Sequence, residues 1–278
     1  MELPDIQKTE IDGTALDKVG VKNIKLPLRI YQKDGDSYLQ TVAEFSLYTW
    51  LSGKEKGTHM SRFTEVLYSH ALDKQLNCDD LVSILRELSE KLKTPLTYLE
   101  VMFDYFLPRP SPVTGKKAVA PFRAGFRLAY LDYDAVTNKR GIVRCVSVVE
   151  VTGQTCCPCS KEISDYDKET GRGKGAHSQR GKVTIEAVTS SHTLLETLIE
   201  VAESSMSAPS YPLLKRPDER HATISAYENP CFVEDVLRRC YDKLRVMPSV
   251  DSFFVSVENF EVIHFHNAYG EVSFKWRK

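Results

Sequence analysis

One order of hydrophobic patterns runs along this chain twice, and any fold has to accommodate both copies. In the first copy, residues 26–30 and 37–51 alternate apolar with polar side chains. Within YLQTVAEFSLYTWL one face is drier than the other, as in an antiparallel strand. GKEKGTHMSRF then turns the chain into a second strand or short segment through Leu67, with a helix around 64–76 as the alternative reading. Residues 79–93 place Leu81, Leu85, Leu88 and Leu92 on one face ahead of Pro95, which predicts an amphipathic helix. Stretches 96–107 and 122–134 alternate again around the connector PRPSPVTGKKAVAP, a hairpin with a long loop.

The second copy follows the same plan. Residues 142–151 are β-branched and strand-like, 155–180 stand where the loop would be, and 182–189 form the next strand. A helix over 193–203 opens with Thr193 and Glu196 at capping-box spacing. Asn229 offers an N-cap and Pro230 a first helical residue to a helix with Val233, Val236, Leu237, Cys240 and Leu244 on one face. Strands at 252–264 and 271–276 close the chain. A short echo, Gly-x-His-x-x-Arg at 57–62 and at 175–180, supports two related halves with a boundary near 135–141. The reading is an arm at 1–25, a first unit at 26–138 and a second at 139–278.

Composition removes several function classes. With 278 residues, 42% of them hydrophobic, the chain can bury a substantial core. Its apolar runs are far too short to span a membrane, and MELPDIQKTEIDG has no apolar signal core. A net charge of −1 gives no reason to expect a nucleic-acid surface. Seven cysteines, an odd number, fit free thiols or metal ligands in a reducing cytoplasm.

Four regions hold side chains suited to chemistry. TCCPCSKEISDYDKETGRGKGAHSQR (155–180) carries Cys157, Cys159 and His177, soft and borderline donors that suit a transition metal. Only isolated Cys231 and Cys240 follow, so an open site fits better than a closed four-cysteine one. LLKRPDERHAT (213–223) brings Lys215, Arg216, Asp218, Glu219 and His221, either a solvated face or a carboxylate beside anion-binding cations. Glu234 lies at the flank of its helix's apolar face. In ENFEVIHFHNAYGE, Glu261, His264 and His266 end an alternating strand, the two histidines on one face as ligands or as core side chains.

KGTHMSRF (56–63), CPCSKEISDY (157–166), GAHSQRG (175–181), YPLLKRPDERHAT (211–223), AYENPCFVEDVLR (226–238) and NFEVIHFHNAYGE (259–271) occur in one order. Together they resemble the type IB GTP cyclohydrolase family over nearly the whole chain. The resemblance implies an α+β tunnelling fold: tandem ββααββ units with antiparallel sheets that assemble into barrels. It further implies a homotetramer with interfacial active sites and a divalent metal, Zn, Mn or Fe(II). The implied reaction converts GTP to 7,8-dihydroneopterin triphosphate and formate, the first step toward tetrahydrofolate. By motif, Cys157 matches the metal-binding and catalytically essential cysteine. His177, Glu219 and His264 match positions at or around the metal, and His177, His264 and His266 are the implied proton carriers. Glu234 matches the carboxylate that anchors guanine. Lys161, Arg180, Lys215, Arg216 and Arg62 are candidates for the triphosphate. About eight residues, DKETGRGK (167–174), exceed what the resemblance leads one to expect. Alternatives are an archaeal-type cyclohydrolase with a cyclic phosphate product, the tunnelling-fold nitrile reductase, and a non-catalytic metal-binding protein.

Overall fold

The computed structural model describes residues 6–31, 38–72, 76–134, 139–168, 172–189 and 195–276. The chain divides into two compact units, Met1–Asp104 with Gly125–Val146, and Tyr105–Ala124 with Ser147–Lys278.

In the first unit a short 3-10 turn at Ile6–Lys8 precedes β1 (Leu16–Tyr31), which runs antiparallel to β2 (Tyr38–Leu51). β1 starts well before the alternation at Leu26, because its first half is largely exposed and carries no apolar period. α1 (Met60–Leu72) occupies the place of the strand expected through Leu67. Phe63, Val66 and Leu67 are all buried, the i, i+3, i+4 spacing of a helix face. α2 (Cys78–Leu92) is the predicted amphipathic helix. Asn77 Oδ1 accepts from the Asp79 and Asp80 N–H groups at 2.9 and 3.2 Å, and the Asp80 carboxylate accepts the Asn77 N–H at 2.9 Å. At the other end Lys93, with φ 56°, adopts the left-handed cap ahead of Pro95. β3 (Leu96–Pro108) pairs with β2, setting Phe45 opposite Val101 and Leu47 opposite Leu99, and β4 (Val119–Asp134) follows it as the predicted hairpin arm. The core joins these residues to Phe63, Val66 and Leu67 of α1 and Leu81, Ile84, Leu85 and Leu88 of α2. Burial contributes about 1.5–3 kcal/mol for each large apolar side chain.

The second unit contains β5 (Lys139–Cys156) from Ser147 onward, α3 (Pro158–Lys168), β6 (Ser178–Thr189), α4 (Leu195–Glu203), β7 (Ala208–Pro209), α5 (Arg216–Glu228), α6 (Val233–Arg245), β8 (Val250–Phe260) and β9 (Ala268–Phe274). Its strands are ordered β5-β6-β8-β9, with β7 paired to β5 at Gly153 and Gln154. Buried Val183, Ile185 and Ala187 of β6 face Val257, Val255 and Phe253 of β8. α6 lays its predicted apolar face on β8 and β9. Gly270 permits the approach: a Cβ there would lie 2.7 Å from the Leu237 side chain.

Four sequence readings change in this unit. α3 stands where 155–180 was expected to be loop. α5 forms from the charge run, because its buried positions, Asp218, Ala222 and Ala226, are small or polar and leave no visible hydrophobic period. α6 begins at Val233 with Phe232 as its cap, not at Asn229 and Pro230. Asn229 instead closes α5: its N–H donates to the Ser225 carbonyl at 3.1 Å, and its amide donates to the Met206 and Ser207 carbonyls at 3.0 and 3.1 Å. Finally, β8 ends at Phe260, so His264 and His266 lie on the following turn and not on a strand. Thr193, and residues 135–138 of the boundary region, lie outside the described residues. Glu196 is buried on α4 and accepts the Tyr105 hydroxyl at 2.5 Å.

Candidate functional site

β5 ends at Cys156, and Cys157 caps α3 with Pro158 as the first helical residue, where a missing N–H costs nothing. The Cys157 carbonyl accepts the Lys161 N–H at 3.1 Å. Its own N–H donates to the His177 carbonyl at 3.1 Å, and the His177 N–H donates to Ser160 Oγ at 3.3 Å. These two bonds brace the cysteine motif against the histidine motif across the intervening loop. Gly175 helps the chain return: its φ is +115°, a conformation glycine alone adopts without strain, and its N–H donates to Ser164 Oγ at 2.8 Å. On the other side, His177 Nδ1 lies 3.0 Å from Gln179 Oε1, and Gln179 Nε2 donates to Glu261 at 3.4 Å. The rings of His264 and His266 stack with centroids 4.9 Å apart and planes 12° apart. They keep the same-side relation that alternation suggested, although the strand has ended.

A cavity of about 620 Å³ is lined by Cys157, Cys159, His177, Glu261, His264 and His266. Thiolate, imidazole and carboxylate donors of this kind fit a borderline divalent transition metal. Among the described residues no three of these side chains are gathered tightly enough to hold an ion. The donor chemistry fits such an ion. The other cysteines differ in kind. Burial pushes the Cys240 thiol up to about 11 and raises that of Cys231, so both remain protonated packing residues.

The remaining candidates do not line this cavity. Glu219 is exposed on α5, beside exposed Lys215 and Arg216. Glu234 is exposed in the first turn of α6, two residues from Phe232, which does line the cavity. Lys161 lies over the Tyr227 ring at 5.0 Å, and Arg180 is exposed on β6 opposite Phe260. Arg62 belongs to the first unit, where it donates to the Lys91 carbonyl at 3.2 Å and lines another cavity, with His59 and Trp50.

Sequence reasoning missed Arg172 and Lys174, cations of the long loop that line the cavity. It also missed Gln179, a polar residue hidden in a strand pattern, and the role of Asp218. The Asp218 carboxylate is fully buried and accepts from the Val113 and Thr114 N–H groups at 2.8 and 2.7 Å, from Thr114 Oγ1 at 2.6 Å and from the Lys215 N–H at 2.9 Å. Burial alone would raise this carboxyl, but the four bonds outweigh it and hold it well below the usual carboxylate range. Asp218 thereby fixes the start of the helix that presents Lys215, Arg216 and Glu219.

Known proteins resemble this chain in sequence and in fold. GTP cyclohydrolase FolE2 of Thiobacillus denitrificans is 36% identical over 277 residues, covering 99% of this chain and 96% of the relative. GTP cyclohydrolase FolE2 of Thermosipho africanus is 43% identical over 258 residues, covering 93% of this chain and 92% of the relative. Among solved structures, uricase from Arthrobacter globiformis superposes with a TM-score of 0.50 at 9% identity, covering 93% of this chain and 92% of that one. A hyperthermostable Bacillus sp. TB-90 urate oxidase mutant gives 0.53 at 8% identity, covering 93% and 97%. At such identities the likeness shows the fold alone, the antiparallel α+β architecture of the tunnelling type. Residues 3–270 match the family model described as type I GTP cyclohydrolase folE2, and with the full-length relatives this places the chain in that family.

Proposed function

We propose that this chain is a type IB GTP cyclohydrolase, which uses one water to convert GTP to 7,8-dihydroneopterin triphosphate and formate at the head of tetrahydrofolate synthesis. Family membership supports the reaction. The observation that carries the site is the backbone brace that holds Cys157 beside His177 on one donor-lined cavity.

In this reading Cys157, His177 and His264 hold a divalent cation, Zn, Mn or Fe(II), and Glu219 joins them in the assembled enzyme. Such a cation, when bound, supplies the Lewis acidity that makes water a competent nucleophile near neutral pH. The chain's own groups do the rest. His266, or His177 or His264 when that residue is off the cation, takes and returns protons as the imidazole ring of guanine opens at C8 and the pterin ring closes. Glu234 accepts the N1–H and exocyclic amine of guanine, a paired donor edge that adenine lacks. Arg172 and Lys174 line the cavity and meet the triphosphate there; Lys161, Arg180, Lys215, Arg216 and Arg62, which do not line it in the single chain, are the candidates that a neighbouring copy would bring to it. Exposure of Glu219 and Glu234 in the single chain suits a homotetramer whose sites a neighbouring copy completes. The units 26–138 and 139–278 are taken as the two tandem tunnelling modules; of the arm at 1–25, the residues from Leu16 onward belong to β1 of the first module. No helix among the described residues is long and apolar enough to cross a membrane. All seven cysteines are free, as a reducing compartment keeps them, and we place the enzyme in the cytoplasm.

Purified protein supplied with Zn, Mn or Fe(II) under reducing conditions should release formate from GTP and leave a linear triphosphate product by mass. No formate with any of the three, with metal still bound, would overturn the reading in favour of a binding protein. In the same assay Glu234→Ala should lower kcat/KM about 10- to 100-fold, the worth of charge-assisted hydrogen bonds, without changing metal content. Loss of the metal in that variant would contradict its assignment to the base.

A further inference from the structure

We propose that Gln179 is a positioning residue that locks the His177 imidazole in its Nδ1–H tautomer and leaves the Nε2 lone pair for the cavity. The inference rests on reading His177 as a ligand or base of the site, and it begins from the strand register. β6 and β8 run antiparallel with Arg180 opposite Phe260 and Gly181 opposite Asn259. One step further along that register, Gln179 faces Glu261, just past the end of β8. The Gln179 side chain is 6% exposed and lies between two partners: its Oε1 is 3.0 Å from His177 Nδ1, and its Nε2 is 3.4 Å from Glu261 Oε1.

The two ends of an amide look alike, so its direction is assigned from the chemistry of its neighbours. An ionised carboxylate only accepts hydrogen bonds, so the amide NH2 must face Glu261. The amide carbonyl then faces His177, and because a carbonyl only accepts, Nδ1 must carry the hydrogen. A neutral imidazole has one N–H, so Nε2 is left as the acceptor atom. Nε2 has no protein partner among the described residues, and the ring lines the cavity. The backbone on either side is already pinned, through the His177 carbonyl to the Cys157 N–H and through the His177 N–H to Ser160 Oγ. Gln179 supplies the one remaining constraint, on the ring itself. Glu261 thus acts two bonds away, by holding the amide in the direction that sets the tautomer. Partners of this kind on the far nitrogen of a metal-binding histidine are worth roughly 10- to 100-fold in metal affinity.

The test reads the tautomer directly, in metal-free full-length protein labelled with 15N on histidine and studied by NMR near pH 8, beside Zn titrations. Wild type should show His177 protonated at Nδ1 with a lone pair on Nε2. Gln179→Leu should lose that preference and bind Zn about 10- to 100-fold more weakly. Gln179→Glu keeps an acceptor for Nδ1–H and should retain the tautomer. Glu261→Gln, whose amide can face Gln179 either way, should relax it. Wild-type His177 protonated at Nε2 would overturn the proposal, and that measurement does not depend on any variant folding. An unchanged tautomer in Gln179→Leu would overturn it as well. If the tautomer shifts in that variant while Zn affinity stays level, Gln179 keeps its role and the assignment of His177 as a metal ligand fails.

Discussion

Replacing Cys157 with alanine should abolish formate release from GTP while leaving the fold in place. The reason lies in what the substitution removes. The structural bond at this position is made by the backbone N–H to the His177 carbonyl, and alanine keeps it. Cys157 is only half-buried and lines the open cavity, so losing its sulfur leaves no sealed void. What disappears is the one soft anionic donor among the proposed ligands Cys157, His177 and His264. Metal-assisted activation of water is worth several kcal/mol of barrier, so turnover should fall by about 10³-fold or more. Metal content should fall with it, and the thermal midpoint of the metal-free protein should stay within about 2 °C of wild type. A variant that kept more than roughly a tenth of its turnover would remove Cys157 from the chemistry.

Asp218→Ala should act in the opposite way, with its largest effect on stability. Four donors converge on this buried carboxylate, three of them backbone N–H groups of Val113, Thr114 and Lys215. Removing the acceptor breaks all four bonds at once and frees the loop at Val113 and Thr114 from the start of α5, and the thermal midpoint should drop by roughly 5–10 °C. The sign with pH follows from the direction of the shift. Asp218 titrates below its unfolded value of about 3.9, so its stabilisation is fully present above that pH and is lost as pH falls toward the folded value. The gap in midpoint between wild type and Asp218→Asn should therefore be level from about pH 5 to 8 and narrow below about pH 4. A gap that did not narrow in acid, or no gap at neutral pH, would contradict this role. Because Asp218 anchors the start of α5, a loss of activity accompanying the lost stability would trace to Glu219, Lys215 and Arg216 on that turn.

The contrast between these residues shows what a sequence can and cannot disclose. α2 and α6 were legible because leucines and valines recur at helical spacing over a buried face. α5 was not, because the side chains it buries are Asp218, Ala222 and Ala226, and a charge run outside them masks the period. α3 was hidden for a related reason: it is polar, and only Ser164 among its described side chains is buried. α1 looked like a strand continuing a turn, since Phe63, Val66 and Leu67 fit a short apolar run as well as a helix face. At the site, Cys157, His177, His264 and His266 stood out as residue types and line one cavity. The groups that hold them did not stand out. Ser160, Gln179 and Gly175 act through hydrogen bonds and a backbone angle that no composition or period encodes. Glu219 and Glu234 were visible as carboxylates on their segments, their roles came only from motif resemblance, and both are exposed in the single chain.

The central claim is that one cation is held by a thiolate and imidazoles drawn from separate motifs. X-ray absorption at the metal edge of zinc-reconstituted protein tests it most directly. The expected spectrum contains one sulfur near 2.3 Å together with imidazole nitrogens near 2.0–2.1 Å, and the sulfur shell should vanish in Cys157→Ala. A shell of oxygens alone, or a sulfur contribution unchanged in that variant, would contradict the account.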